Sequence, residues 1–154
     1  GLTLAGGSEL MLACDIIFAA KDARFGDQHA QFGLIPGWGG SQRMPRIVGL
    51  RRGLDLFFSA RWIDADTAGQ WGLVNYVVEP EQLGEAALAY CTRLATRSRI
   101  GIATMKRLAR QGMEGSSEAG LQLEEDLASA ALLDDDVSEG LAAFEARRTP
   151  VFKS

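Results

Sequence analysis

Apolar residues recur in two rhythms along this 154-residue chain. As far as residue 80, short apolar runs alternate with glycine-rich breaks; from residue 81 the apolar positions fall at helical spacing and no further strand signal appears. Residues 8–15 are a predicted helix with Ser8 as N-cap and Asp15 as its last residue. Ile16-Ile17-Phe18-Ala19-Ala20 is an unbroken apolar run, the pattern of a strand buried on both faces. A second short strand is predicted over residues 23–26. Residues 27–40 carry too many glycines and rings for a regular element and read as a shaped loop. A helix capped by Ser41 and stopped by Gly49 follows, then an amphipathic helix over residues 50–60 that offers Leu54, Leu56, Phe57 and Phe58 to a core. Asp64 caps a short helix ending at Gly72, and residues 73–78 are rich enough in β-branched side chains for a strand. Helices are then predicted over residues 81–97, 101–111, 117–133 and 137–148. The pattern divides the chain into an α/β portion, residues 1–80, and a helical portion, residues 81–154. The helical faces of Ala, Leu and Phe are expected to pack on another surface, such as a second subunit.

Composition narrows the classes. Hydrophobic residues make up 47% of the chain and charged ones 23%, the balance of a globular domain. A net charge of −4, with Arg and Lys scattered, leaves no footprint for nucleic acid. No apolar run is long enough to span a bilayer, so no membrane partner is expected. Cys14 and Cys91 lie far apart in apolar settings and are expected to be reduced core cysteines, which favours a cytoplasmic location. No Cys and His residues cluster at metal-ligand spacing, so no metal is expected. The chain opens inside a glycine-rich segment without a Met, and further residues are expected ahead of Gly1 in the full protein.

That opening segment is where chemistry is expected. Gly6-Gly7-Ser8-Glu9 leads into a helix, and the first N–H groups of a helix have no partners inside it. The macrodipole adds partial positive charge beside them, and glycines let a bound group approach the backbone. A developing oxyanion is stabilised at such a spot, with Glu9 one turn away to move a proton. The structural alternative is a tight turn followed by a dipole-compensating Glu. His29, the only histidine of the chain, stands in the loop; on its own a single His is more often a plain polar residue. If the backbone from Asp27 to His29 is extended, both side chains share a face and the acid orients the ring.

The blocks Leu4-Ala5-Gly6-Gly7-Ser8-Glu9-Leu10, Cys14-Asp15-Ile16, Ala23-Arg24-Phe25-Gly26, Gly33-Leu34-Ile35-Pro36-Gly37, Gly39-Gly40 and Trp71-Gly72-Leu73-Val74-Asn75 occur in a familiar order and spacing. With Glu139 to Arg148 at the end, they resemble the enoyl-CoA hydratase/isomerase (crotonase) superfamily over essentially the whole chain. The resemblance implies an α/β spiral of ββα units, of which the N-terminal part would lie ahead of Gly1. It implies C-terminal helices that build trimers or dimers of trimers, an acyl-CoA thioester substrate, and no cofactor beyond the CoA of that substrate. Gly6 matches the position that donates an oxyanion-hole N–H, with Gly7 beside it, and Glu9 matches the first of two acid/base glutamates. The second would fall at position 29, where this chain has His29, preceded by Gln28 in place of a proline. Trp38, with Pro36 and Gly37, lies in the loop that shapes the acyl end of the pocket, and a bulky indole there favours short, branched or aromatic acyl groups. Gly37 stands where dehalogenases and dienoyl isomerases of the superfamily carry an Asp, which argues against both reactions. Arg147 matches a basic residue that in some members reaches the CoA phosphates.

The leading expectation is therefore a hydratase-type lyase that adds water to a 2-enoyl-CoA, using the Gly6 N–H and Glu9. The alternatives are another reaction of the same fold that uses Glu9 with His29 (isomerisation, decarboxylation or C–C hydrolysis) and a non-catalytic CoA-binding protein.

Overall fold

The computed structural model describes residues 1–153, which fold as two compact units, Gly1–Leu88 and the residues from Ala89 onward. In the first unit the chain shuttles between two small sheets. β1 (Leu2–Leu4) leads into α1 (Gly6–Ala13), β2 (Phe18–Ala20) and β3 (Arg24–Gly26). β1 and β3 pair in parallel, Leu2 opposite Arg24 and Leu4 opposite Gly26. A long excursion through α2 (Gly40–Val48) and α3 (Leu50–Ser59) then returns to β4 (Ile63–Asp64), which adds antiparallel to β3. α4 (Ala65–Gln70) hands the chain to β5 (Tyr76–Val78), parallel to β2. Both parallel pairs are joined by crossovers that pass through helices, as parallel pairing requires.

The core of this unit draws on most of its elements: Leu12 of α1, Ala19 of β2, Phe25 of β3, Met44 and Val48 of α2, Leu56 of α3, Ile63 of β4 and Ala68 of α4. Met44 and Val48, four apart, form the buried stripe of α2, and Leu56 is fully enclosed. Small residues set the spacing. A Cβ added to Gly53 would lie 3.1 Å from Cγ of Pro45, so α3 packs directly on α2.

In the helical part, α5 (Leu83–Leu94) runs through the division, followed by α6 (Arg99–Gly112), α7 (Ser117–Ala131) and α8 (Asp135–Glu145). Each of the last three starts at a side-chain cap: Ser98 accepts from the Gly101 N–H at 3.0 Å, Ser116 from Ala119 at 3.2 Å and Asp134 from Asp136 at 2.8 Å. After α8 the tail is tied back, Arg148 meeting Glu139 through two bonds of 2.6 and 2.8 Å. The Val151 N–H adds a third bond to Glu139 at 2.8 Å.

The structure corrects several expectations. Ser8 does not cap α1, which starts at Gly6 and ends at Ala13 rather than Asp15. The Ser8 hydroxyl is buried instead between the carbonyl oxygens of Thr3 (2.7 Å) and Gly26 (2.8 Å), an attraction the local sequence does not reveal. Ser41 likewise lies inside α2, whose cap position is Gly39 at φ 99°, a conformation that a side chain there would resist. Cys14 and Cys91 are both exposed: the first falls just past the end of α1, and the second lies on an outer position of α5. Among the described residues no helix is long and apolar enough to cross a membrane.

Candidate active site

The start of α1 is held as a rigid corner. Ala5 sits at φ 47° and ψ −118°, a backbone region costly for any residue with a Cβ. Its N–H donates to the Gly26 carbonyl at 3.2 Å, the same oxygen that Ser8 approaches. The ends of β1 and β3 therefore fix the direction in which α1 begins. No side chain caps this end, and Gly6, Gly7 and Ser8 occupy the turn whose N–H groups cannot find acceptors within the helix. Gly7 is exposed and Gly6 half-buried. The indole of Trp38 lies against Gly6, with Cζ3 only 3.0 Å from where a Cβ would stand.

One turn into the helix, Glu9 points inward and is 3% exposed. A carboxylate so placed is costly unless its oxygens are satisfied. Its Oε1 accepts the Trp38 N–H at 2.7 Å and the Gly40 N–H at 2.9 Å. The loop Pro36-Gly37-Trp38-Gly39-Gly40 is thus wrapped around one oxygen of Glu9. Gly40 must be glycine for this approach, since a Cβ there would lie 3.0 Å from Glu9 Cγ and 3.2 Å from Pro36 Cβ. Two charge-assisted bonds on Oε1 hold the carboxylate in one orientation and so set the direction in which Oε2 points.

That oxygen faces His29. The ring opens a short 3₁₀ turn, His29–Phe32, and its Nε2 lies 3.8 Å from Glu9 Oε2. On its other side, Nδ1 lies 2.9 Å from Asp27 Oδ1. The same Asp27 oxygen accepts the backbone N–H of His29 at 3.1 Å. Asp27 and His29 do share a face, but not through extended backbone. Gln28 between them is left-handed, at φ 67°, and its buried side-chain amide donates to the carbonyl of Ala60. The sequence signal for this device is the triplet Asp27-Gln28-His29 itself; the donors at Trp38 and Gly40 are main-chain groups, marked in the sequence only by the glycine that position 40 requires.

Of the residues singled out in the sequence, Gly6, Gly7, Glu9, His29, Pro36, Gly37 and Trp38 all belong to the first unit, and Glu9 is the point to which the loop and the imidazole converge. Arg147 belongs to the second unit, exposed and at φ 52° just past α8.

The family model for enoyl-CoA hydratase/isomerase matches residues 1–154. The chain belongs to that family. Relatives within it include a probable enoyl-CoA hydratase of Rhizobium meliloti, 39% identical over 153 residues, which cover 99% of this chain and 60% of that protein. The mitochondrial methylglutaconyl-CoA hydratase of Homo sapiens is 39% identical over 157 residues, covering 99% of this chain and 46% of its own length. The crystal structure of an enoyl-CoA hydratase from Bacillus anthracis superposes with a TM-score of 0.96 at 37% identity, over 99% of this chain and 59% of that one. The chain thus spans about 60% or less of the length of the enoyl-CoA hydratase/isomerase proteins it matches. Over that span its α/β fold is the crotonase fold of these neighbours.

Proposed function

We propose that the protein is a hydratase-type lyase that adds water across the double bond of a 2-enoyl-CoA thioester. The observation that carries the reading is the state of Glu9: one oxygen fixed by the Trp38 and Gly40 N–H groups, the other turned toward His29 Nε2 at 3.8 Å, one turn from the open end of α1. The Gly6 N–H, at the positive end of the helix, polarises the thioester oxygen as negative charge develops on it. Glu9 takes a proton from water as the water oxygen bonds to C3. His29, as imidazolium, releases its Nε2 proton to C2. The proton held by Glu9 then passes to His29 Nε2 through a water between them, and both groups return to their starting state. The reaction uses these groups and the substrate's own CoA, without a cofactor. The hydratase names of the relatives, which include a crotonyl-CoA hydratase of Syntrophomonas wolfei, are in line with this reading.

Trp38 supports a restricted acyl group. Its ring lies over Gly6, beside the reacting carbonyl in this reading, and shortens the space left for the chain. The helical unit is read as an assembly surface for a homotrimer or a dimer of trimers, since Leu133 and Phe144 are 89% and 83% exposed on it. Arg147 is read as a contact for CoA phosphates.

The discriminating experiment incubates the full-length protein with 2-enoyl-CoA and with 3-enoyl-CoA. Consumption of the 2-enoyl thioester with formation of a 3-hydroxyacyl product is expected. Conversion of the 3-enoyl to the 2-enoyl thioester without water addition would overturn the reading in favour of an isomerase that uses the same pair.

A further inference from the structure

We infer that Asp27 is a positioning residue that commits Nδ1 of His29 and makes Nε2 the one ring nitrogen available for proton transfer. The inference rests on the reading of Glu9 and His29 as the reacting pair, and it adds the group that decides which proton moves.

The hydrogen-bond pattern leaves little choice. An ionised carboxylate accepts and cannot donate. Asp27 Oδ1 takes the His29 backbone N–H at 3.1 Å and stands 2.9 Å from Nδ1, so Nδ1 must carry a proton. Asp27 is only 2% exposed, which leaves water little access to compete for that bond. The left-handed turn at Gln28, anchored through its side chain to the Ala60 carbonyl, brings Asp27 and His29 onto one side. With Nδ1 occupied, the proton lost on going from imidazolium to imidazole is the one on Nε2. Nε2 is the nitrogen that faces Glu9, at 3.8 Å. The opposite tautomer would turn a bare Nδ1 toward the Asp27 oxygen, lone pair against lone pair, and block acceptance at Nε2. A glutamate at position 29 would need no such partner. A histidine does, because its two nitrogens must be told apart.

The tautomer can be read directly. His29 is the only histidine in this sequence, and a His29→Gln variant identifies its signals if the full-length protein has others. In ¹⁵N-histidine-labelled full-length protein, at a pH where the ring is neutral, long-range ¹⁵N–¹H correlation is expected to show a protonated Nδ1 and a bare Nε2. Asp27→Ala is expected to move the ring to Nε2–H or to a mixture. Asp27→Asn keeps an accepting oxygen and is expected to retain Nδ1–H. In turnover of 2-enoyl-CoA, Asp27→Ala should lower kcat by roughly ten-fold or more, up to the roughly 10²–10⁴-fold that one proton transfer supplies, while KM stays close to its starting value. Asp27→Asn should recover much of that loss. A wild-type ring in the Nε2–H form, an unchanged tautomer in Asp27→Ala, or a changed tautomer with undiminished kcat would each overturn the inference. If the wild type turns over no thioester, the hydratase reading fails alone: the spectra of the wild type and Asp27→Asn still test the tautomer, even where Asp27→Ala does not fold.

Discussion

Oε2 of Glu9 faces Nε2 of His29 across 3.8 Å. The distance is too long for a direct hydrogen bond and short enough for one water oxygen to lie within reach of both atoms. Oε1 of the same carboxylate is committed to the main chain of the Trp38–Gly40 loop, so the two oxygens of Glu9 have different partners, one held by the loop and one facing the imidazole.

The holding side predicts that Gly40→Ala lowers activity and stability together. The added methyl would meet Glu9 Cγ at 3.0 Å and Oε1 at 3.1 Å, forcing the carboxylate aside. A displacement on the order of 1 Å in a reacting group costs up to about 10²-fold in rate. Steady-state kinetics should show kcat falling by about that factor, and the thermal midpoint should fall with it, because the displaced buried carboxylate loses its donors.

Ala5→Gly should stabilise the protein. Ala5 is held at φ 47° and ψ −118°, a strain of about 1–3 kcal/mol for a residue with a Cβ. Glycine relieves it but adds roughly 0.5–1 kcal/mol of backbone entropy cost. A net gain of about 1 kcal/mol in denaturant unfolding is expected.

Leu56→Ala should cost about 3 kcal/mol, because Leu56 is 0% exposed and lies in the core that α2 and α3 share with the sheets. Urea unfolding of the variant checks it.

The tail latch predicts an acid-sensitive contribution. The Arg148 guanidinium, with the Val151 N–H, pulls the Glu139 carboxyl from 4.5 down to about 2. A carboxyl whose folded value lies below its unfolded one stabilises the fold above the unfolded value and loses that stabilisation as pH falls toward the folded one. The pair therefore contributes fully above pH 4.5 and fades between 4.5 and about 2. In Glu139→Gln the fall in stability across that window should be shallower than in the wild type, measured by chemical unfolding at each pH.

What the sequence revealed followed its periodicities. The helices of the second half were legible from their apolar spacing, but the caps Ser98 and Asp134 went unread, so α6 and α8 start two residues earlier than the spacing placed them. Asp64 was legible as a cap, its side chain accepting from the Thr67 N–H at 2.8 Å. Ser8 was misleading: as a local signal it reads as a cap, but tertiary acceptors on Thr3 and Gly26 claim its hydroxyl. β1 went unseen because three residues, Leu2–Leu4, carry no period of their own and exist by pairing with β3. In α3 the pattern offered Leu54, Leu56, Phe57 and Phe58 alike, whereas the helix buries Leu56 and leaves Phe58 76% exposed. At the site, Glu9 and His29 were visible as residue types. The groups that orient them, two backbone N–H groups and a left-handed turn at Gln28, were not, because main-chain donors and dihedral angles are written in the fold.

The most direct test of the account is Glu9→Gln in the full-length protein, assayed for hydration of crotonyl-CoA. The amide matches the carboxylate in size and keeps an oxygen for the Trp38 and Gly40 N–H groups, so the loop should stay in place, but it cannot take up the proton of the attacking water. The account predicts a fall in kcat of roughly 10²–10⁴-fold with an unchanged fold. Hydration at the wild-type rate would contradict it.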